Sequence, residues 1–292
     1  MMDKTNATPM TRLFGDLESK IRHYFRPRQP EPYGLEIHAS HACNLHCESC
    51  SHFSNHPIGG NVPLREAEAW MHAWSGRLRP REFNILGGEP TLNAELCGFV
   101  QAARRFWPGV PINLTTNGFF LHDHPGLPKA LARSAPATLR VSMHHVGAEY
   151  QSRYREIEAL VQAWEREWGI RVERVPAAQT WTRRYHGYGE SLQPYREGCA
   201  RKSFQNCAIQ NGCHQLLDFK LFKCAPLAYL PRVAQRYALS EAWAPYLAYE
   251  PLDPHCSDAD LHRWLSRQEI PECTMCPTRY EVIAPAAQPS PL

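Results

Sequence analysis

The feature that most constrains this chain is a group of three cysteines near its start, Cys43, Cys47 and Cys50, spaced C-x3-C-x2-C. Deprotonated sulfur is a soft ligand, and thiolates this close in sequence are typical of zinc, copper or iron–sulfur sites. A structural zinc site needs a fourth ligand, which His46 or His52 could supply. A cubane iron–sulfur cluster held by three sulfurs leaves one iron open to a reacting molecule. The spacing favours iron–sulfur over zinc but leaves both open.

A second motif follows a short apolar segment. Residues Glu82–Leu86 are predicted to form a buried strand, which ends in Gly87, Gly88, Glu89 and Pro90. The three cysteines followed by strand and GGEP turn resemble the radical S-adenosylmethionine (SAM) superfamily. The resemblance implies a [4Fe-4S] cluster on the cysteines, with S-adenosylmethionine on the open iron and its amino group received by the turn. It also implies that one electron cleaves the cofactor to a 5′-deoxyadenosyl radical, which abstracts hydrogen from a substrate.

The resemblance implies further cofactor contacts. Asn117 lies in a polar turn after a predicted strand and Ser142 ends the next one, and both would lie near the cofactor. An ordinary Asn-Gly turn is the alternative at Asn117. Where the family often has an aromatic residue before its third cysteine, this chain has Ser49. Phe53 is therefore the candidate to cover the adenine.

Strand and helix patterns alternate over residues 35–175. Such alternation predicts an α/β fold, with a parallel sheet and helices on its outer face. Ligands of such folds bind at the carboxyl ends of the strands, where all the motifs above fall. The resemblance implies a partial (β/α)6 barrel, open on one side to admit substrate.

A second group of cysteines lies near the C-terminus. It comprises Cys207, Cys213, Cys224, Cys273 and Cys276. Cys213 and Cys224 flank a predicted β-hairpin that turns near residues 218–220, and the last two form a C-x2-C pair. The set resembles the twitch extension, a shortened SPASM domain, although the family's usual hairpin glycine is replaced near Phe219. That resemblance implies an auxiliary [4Fe-4S] cluster.

Five cysteines compete for four ligand positions in this second group. Spacing does not choose between Cys207 and Cys213, and one C-x2-C sulfur could be the surplus one instead. A surplus thiol, Cys207 or Cys213, could act catalytically by donating a hydrogen atom to a substrate radical, as an epimerase requires. Cys199 and Cys256 are weaker donor candidates. A zinc ribbon is the alternative for the whole group.

Composition limits the class of protein. The chain has 292 residues, of which 43% are hydrophobic and 21% charged, as in a soluble globular protein. Its net charge of +3 is too weak to favour nucleic acid or an anionic membrane as partner. It has neither a membrane-span-length apolar run nor a signal-peptide core, and its eleven cysteines suit a reducing compartment, so a cytoplasmic location is expected.

The predicted organisation has four ranges: an N-terminal extension (1–34), the radical SAM partial barrel (35–198), the auxiliary-cluster domain (199–283) and a disordered tail (284–292). The predicted function is a radical SAM oxidoreductase or epimerase of natural-product biosynthesis. Its substrate would be a small polar molecule such as a sugar, aminocyclitol or nucleoside, and its electron donor a flavodoxin or ferredoxin. The polar, aromatic run at 181–189 could contact the substrate or form an ordinary surface loop.

Two other functional classes remain open. One is a peptide-modifying maturase that docks a leader peptide at a sheet edge. Residues 1–34 are short for a docking domain, which counts against this class. The short twitch-like extension at the C-terminal end favours a small polar substrate instead. The other is a zinc-stabilised binding protein without catalysis.

Overall fold

The computed structural model describes residues 29–145, 147–196, 198–207 and 212–283. The predicted tail at 284–292 and most of the predicted extension, residues 1–28, lie outside the described residues. No helix in the described part of the chain has both the length and the apolar character needed to cross a bilayer.

A mixed sheet of seven strands forms the centre of the molecule. The strands are β1 (Gly34–Ser40), β2 (Glu82–Gly87), β3 (Ile112–Thr116), β4 (Ala137–Ser142), β5 (Arg171–Val175), β6 (His214–Leu217) and β7 (Lys220–Phe222). Their order across the sheet is β5-β4-β3-β2-β1-β6-β7. All neighbours pair in parallel except β6 and β7, which are antiparallel. The predicted α/β fold class, with a largely parallel sheet, is confirmed.

Helices connect the parallel strands and continue into the C-terminal part. They are α1 (Leu64–Ser75), α2 (Leu96–Phe106), α3 (Leu127–Arg133), α4 (Ala148–Trp168), α5 (Ala177–Thr180), α6 (Ala200–Gln205), α7 (Ala225–Arg236), α8 (Ala244–Leu247) and α9 (Asp258–Ser266). Helix α4 ends where Gly169 takes a left-handed conformation with φ of 63°, which a residue without Cβ adopts readily. Helix α9 begins where the Ser257 hydroxyl accepts a hydrogen bond from the Asp260 backbone N–H.

The two faces of the sheet differ in chemistry because successive side chains of a strand point to opposite faces. Leu35, Ile37 and Ala39 of β1 are fully buried in the hydrophobic core. The residues between them in the sequence, including Glu36 and His38, lie on the opposite, inner face. The fold therefore has an apolar outer layer under the helices and a polar interior.

The predicted hairpin is confirmed as β6 and β7, and its first strand pairs in parallel with β1. Its turn residues, Asp218 and Phe219, both have positive φ values, 49° and 66°. The indole N–H of Trp74 on α1 donates to the backbone oxygen of Phe219 at 2.6 Å, which fixes the turn against the helix. The hairpin thus continues the main sheet, and the division of the chain into the predicted ranges stays a prediction.

Candidate functional site

The loop that follows β1 brings Cys43, Cys47 and Cys50 together. Each of the three thiols interacts electrostatically with the other two. Burial raises the pKa of Cys43 and of Cys47, and the Glu89 carboxylate adds to the effect at Cys43. Because a buried thiolate is costly without a cation beside it, three neighbouring sulfurs suit a metal centre that supplies the positive charge.

A [4Fe-4S] cluster is one centre that this donor set can hold. Among the described residues, no three His, Cys, Asp or Glu side chains are grouped so that they could hold one metal ion. In a four-iron cluster each cysteine binds a different iron, so the sulfurs need not converge on one point. The cysteine trio therefore fits a [4Fe-4S] cluster.

Cys50 differs from the other two thiols because it has a basic partner. Burial acts to raise the pKa of Cys50, but a hydrogen bond and the charge of His52 outweigh it, and the net pKa is lowered. The pKa of His52 is raised to about 9, since Cys50 and Glu36 outweigh the effect of its own burial. The imidazole Nε2 lies 3.9 Å from a Glu36 carboxylate oxygen. His52 thus joins the cysteine loop to the inner face of β1.

The GGEP turn at the end of β2 packs directly on the cysteine loop. The Gly88 N–H donates to the Ser40 carbonyl at 2.9 Å, and the Glu89 N–H donates to the Ala42 carbonyl at 2.8 Å. A Cβ atom on Gly87 would lie 2.2 Å from the Ser40 oxygen, and one on Gly88 would lie 2.2 Å from the Ala42 oxygen. Only glycine permits this backbone-to-backbone contact, which leaves the turn beside the three thiols.

Glu89 holds the turn to the end of β3. Its buried carboxylate accepts hydrogen bonds from the Thr91 N–H and hydroxyl, the Thr116 hydroxyl and the Asn117 N–H. Burial raises the pKa of Glu89 and these bonds only partly oppose the rise. Since both carboxylate oxygens are engaged, Glu89 acts as a brace between two strand ends. The Asn117 side chain continues this network by donating to Asn44 of the cysteine loop at 2.7 Å.

Ser142 and the residue pair after it occupy the end of β4. Ser142 is the last residue of the strand and is buried. The Nδ1 atom of His144 lies 3.8 Å from the Cys47 sulfur, and burial, aided by His145, lowers the pKa of His144 to about 4. The cysteine loop, the GGEP turn, Asn117 and Ser142 therefore share one edge of the sheet, the carboxyl edge of β1 to β4.

The second cysteine group also converges. Cys207, Cys224, Cys273 and Cys276 line one cavity of about 610 Å³, together with Tyr33, His214 and Lys223. Burial raises the pKa of Cys213, and after it the charge of Glu36, a hydrogen bond to Glu36 and the charges of Cys207 and Cys224 add to the rise. Cys213 is absent from the lining of that cavity. Cys213 therefore lies near Cys207 and Cys224 but differs from the four cavity-lining thiols in its contact with Glu36.

The remaining cysteines lie elsewhere. The Cys256 sulfur accepts a hydrogen bond from Arg77 at 3.4 Å. Cys199 immediately precedes α6, and Cys97 lies within α2, half-buried.

Phe53, which was predicted to cover the adenine of the cofactor, is buried and stacks on Tyr185 with ring centroids 4.8 Å apart. Its role at the adenine stays a prediction.

A chain of hydrogen-bonded polar side chains crosses the inner face of the sheet, and sequence reasoning missed it. Asn113 donates to Asn84 at 2.9 Å, Asn84 donates to Glu36 at 3.5 Å, and Gln215 donates to the other Glu36 oxygen. Glu36 faces His52 on one side and Cys213 on the other. Period-two alternation of β1 was the available signal, because it places Glu36 and His38 opposite the apolar residues.

Comparison with known proteins gives the family. A model described as the Radical SAM superfamily matches residues 37–190, more than half of the chain. A PqqA peptide cyclase from Streptomyces rochei is 35% identical over 98 residues, which are 32% of this chain and 25% of that protein. A probable GTP 3′,8-cyclase from Thermococcus kodakarensis is 25% identical over 126 residues, 43% of this chain and 39% of that protein. The chain therefore spans about a quarter to two fifths of these relatives.

Similar solved structures have low identity. SuiB of Streptococcus suis bound to S-adenosylmethionine has a TM-score of 0.41 at 19% identity, covering 59% of this chain and 40% of that one. BtrN in complex with AdoMet and 2-DOIA has a TM-score of 0.49 at 14% identity, covering 85% of this chain and 94% of that one.

Proposed function

Since the chain belongs to the radical SAM superfamily, we propose that it cleaves S-adenosylmethionine reductively and abstracts hydrogen from a small polar molecule. The observation that carries this proposal is the packing of the Gly87–Gly88 turn against the cysteine loop, with three buried thiols beside it. Cys43, Cys47 and Cys50 would hold the cluster. When bound there, the [4Fe-4S] cluster supplies the electron that yields methionine and a 5′-deoxyadenosyl radical.

The chain's own residues would then bind and orient the cofactor. The turn formed by Gly87, Gly88 and Pro90 approaches the cysteine loop closely. It would therefore place its backbone beside the amino group of an S-adenosylmethionine bound to the cluster. Glu89 would set the position of that turn through its bonds to the end of β3. Asn117 would hold the turn and the loop in register, and Ser142 would meet the cofactor from the end of β4.

The polar interior supports a small, hydroxylated or amino-bearing substrate. Glu36, Asn84, Asn113 and Gln215 are all buried, and burial of such groups is costly unless they are hydrogen-bonded. Their bonds to one another make the inner face of β3, β2, β1 and β6 polar. A small polar molecule suits an interior of this chemistry better than an apolar one does.

The second cysteine group supports an auxiliary [4Fe-4S] cluster held by Cys207, Cys224, Cys273 and Cys276, which share one cavity. Cys213 would then be the surplus thiol. Because burial and Glu36 raise its pKa, it keeps its S–H hydrogen and suits the role of hydrogen donor in an epimerase. Without such a donation, the auxiliary cluster would take the electron of the substrate radical, and the outcome would be dehydrogenation.

A peptide substrate is the second candidate. The match to a PqqA peptide cyclase over 98 residues favours it. Of the two edge strands, β7 is already bridged to Leu252, so β5 is the one at which a peptide could pair. Arg174 of β5 is held by Glu158 and Glu165, and such charges make a poor strand partner. The small polar substrate is therefore preferred.

The reaction class is tested by anaerobic reconstitution with iron and sulfide. Reduced by dithionite or by a flavodoxin, the protein should convert S-adenosylmethionine to methionine and 5′-deoxyadenosine. Cys47→Ala should reduce this to background, whereas Cys97→Ala, which removes a half-buried thiol outside both groups, should leave it unchanged. Absence of both products from the wild type, even with substrate candidates present, would refute the class. Zinc without visible absorption would instead support the zinc-binding alternative.

Deuterium transfer identifies the substrate and the outcome. Deuterated aminocyclitols, sugars and nucleosides are supplied one at a time, and a deuterated precursor peptide tests the second candidate. The substrate is the compound whose deuterium appears in 5′-deoxyadenosine. In D₂O, an epimerase would place one solvent deuterium in the product and would lose this with Cys213→Ala. A dehydrogenase would give an oxidised product without solvent deuterium, and its turnover would depend on Cys273.

A further inference from the structure

Ser49 has an unusual conformation. It lies between the second and third cysteines of the first group, is 3% exposed, and has φ of 56°. A residue with a Cβ atom rarely adopts this left-handed region, so its contacts must stabilise it there.

Those contacts are with one distant segment of the chain. The Ser49 hydroxyl oxygen accepts the backbone N–H groups of Arg184 at 2.6 Å and of Tyr185 at 2.9 Å, and the hydroxyl donates to the Tyr185 carbonyl at 3.1 Å. All three hydrogen-bonding capacities of the hydroxyl are used by two consecutive residues. The left-handed turn at Ser49 thus presents the hydroxyl to this segment.

Residues on either side reinforce the contact. We call residues 181–185 the strap. The indole N–H of Trp181 donates to the Glu48 carbonyl at 2.7 Å. The Tyr185 hydroxyl lies 3.1 Å from the Cys50 carbonyl oxygen, to which it can donate, and its ring stacks on Phe53. The strap therefore lies along the three residues that end in Cys50.

The opposite side of the strap meets the segment that follows Cys276. The Arg183 N–H donates to the Glu281 carbonyl at 2.9 Å, and the Ile283 N–H donates to the Trp181 carbonyl at 3.0 Å. The Arg183 guanidinium bridges the carboxylates of Glu48 and Glu281. The strap is thus bonded to the first cysteine loop on one side and to the end of the second cysteine region on the other.

We propose that Ser49 is a positioning residue that fastens the strap and thereby holds Cys50 in place for its metal. The proposal rests on the proposed function only in naming Cys50 as a cluster ligand. Ser49→Ala would leave the N–H groups of Arg184 and Tyr185 without their hydrogen-bond acceptor, a loss expected to raise the opened population on the order of tenfold or more. The opened state would expose both the strap and Cys50.

The test uses metal-free protein, so that its outcome does not depend on cluster loading. Trypsin cleavage after Arg183 and Arg184, followed by mass spectrometry, reports opening of the strap. Alkylation of Cys50 by iodoacetamide, measured against Cys97 in the same sample, reports the position of the third thiol. In Ser49→Ala both rates should rise on the order of tenfold, while alkylation of Cys97 stays unchanged.

Three further variants separate the hydroxyl from strain and from general unfolding. Ser49→Gly relieves the left-handed backbone but lacks the hydroxyl, and it should behave as Ser49→Ala does. Ser49→Asn tolerates that backbone and offers a carbonyl acceptor, so it should restore part of the protection. Ser75→Ala, which removes a hydroxyl at the end of α1 that donates to the His72 carbonyl, should match the wild type. Thermal unfolding identifies a Ser49 variant that has failed to fold. In that case the same two measurements are made on Tyr185→Phe, which removes the bond from the strap to the Cys50 carbonyl but keeps the ring stack on Phe53.

The iron-loaded protein gives a second measurement. Iron should leave the first cysteine group of Ser49→Ala faster under a chelator challenge, while iron at the second group is retained. The proposal is overturned if the strap of Ser49→Ala stays as resistant to trypsin as that of the wild type, or if the strap opens and alkylation of Cys50 does not change. A wild type that never takes up iron would refute the proposed function and leave the trypsin and alkylation results standing.

Discussion

His56 shows how one buried side chain sets a response to acid. It is 2% exposed, stacks on Tyr188 with ring centroids 4.3 Å apart, and neither ring nitrogen has a hydrogen-bond partner in the described part of the chain. Burial, aided by His46, lowers the pKa of His56 from 6.5 to about 4. The unfolded chain therefore binds a proton at His56 more readily than the folded chain does between these two pH values.

Acid therefore destabilises the folded chain through His56. The part of the unfolding free energy that depends on a neutral His56 is present above pH 6.5 and is lost as the pH falls towards 4. About 2 kcal/mol of it is lost by pH 5. His56→Phe keeps an aromatic ring at this position and takes up no proton. We expect it to lose about 2 kcal/mol less unfolding free energy than the wild type between pH 7 and pH 5, measured by urea denaturation.

The control for this experiment is His262→Gln, which replaces an exposed histidine of α9. Its unfolding free energy should change between pH 7 and pH 5 as that of the wild type does. Equal acid sensitivity of His56→Phe and the wild type would show that His56 is not held neutral by burial.

At the scale of one element, the GGEP turn is defined by backbone contact. It closes on the cysteine loop through two backbone hydrogen bonds, and Glu89 fixes it to the end of β3. No side chain fits between the turn and the loop at Gly87 or Gly88. The turn and the loop are therefore fixed to each other, as a cofactor held by both would require.

Gly88→Ala tests this contact. Its Cβ would lie 2.2 Å from the Ala42 oxygen, so loop and turn must separate, at a cost on the order of 3 kcal/mol of unfolding free energy in the metal-free protein. Gly76→Ala is the matched control, because Gly76 follows α1 with φ of −82° and has nothing within 4 Å of its added Cβ. It should stay within about 0.5 kcal/mol of the wild type. Equal stability of the two variants would contradict the described contact.

At the scale of the whole molecule, the two cysteine groups are linked through the interior and along the surface. The interior link runs from Cys50 through His52 and Glu36 to Cys213. The surface link is the strap with Arg183 at its centre. The groups lie on different elements with different ligands, so we expect each to load with iron by itself.

Iron removal checks this independence. The wild type should bind roughly eight irons per chain when both groups hold a [4Fe-4S] cluster. Replacing Cys43, Cys47 and Cys50 by Ala should leave about half of that iron, and so should replacing Cys224, Cys273 and Cys276. Combining all six changes should leave none. Loss of all iron from either triple variant would show that the two groups load only together.

The amino-acid sequence by itself determined the parallel α/β fold and the two cysteine groups. Periodicity fixes which residues form strands and helices, and short spacing forces Cys43, Cys47 and Cys50 into one loop whatever lies around them. The hairpin between Cys213 and Cys224 was predictable for the same reason, since its partners are neighbours along the chain.

Only the tertiary structure decided the contacts between segments far apart in sequence. The bond from Ser49 to Arg184 spans more than a hundred residues, and no local pattern indicates it. The pairing of β6 with β1, which brings Cys213 beside Glu36, likewise depends on sheet assembly. Local propensity determines the elements, whereas burial and backbone hydrogen bonding across the assembled fold determine which functional side chains meet.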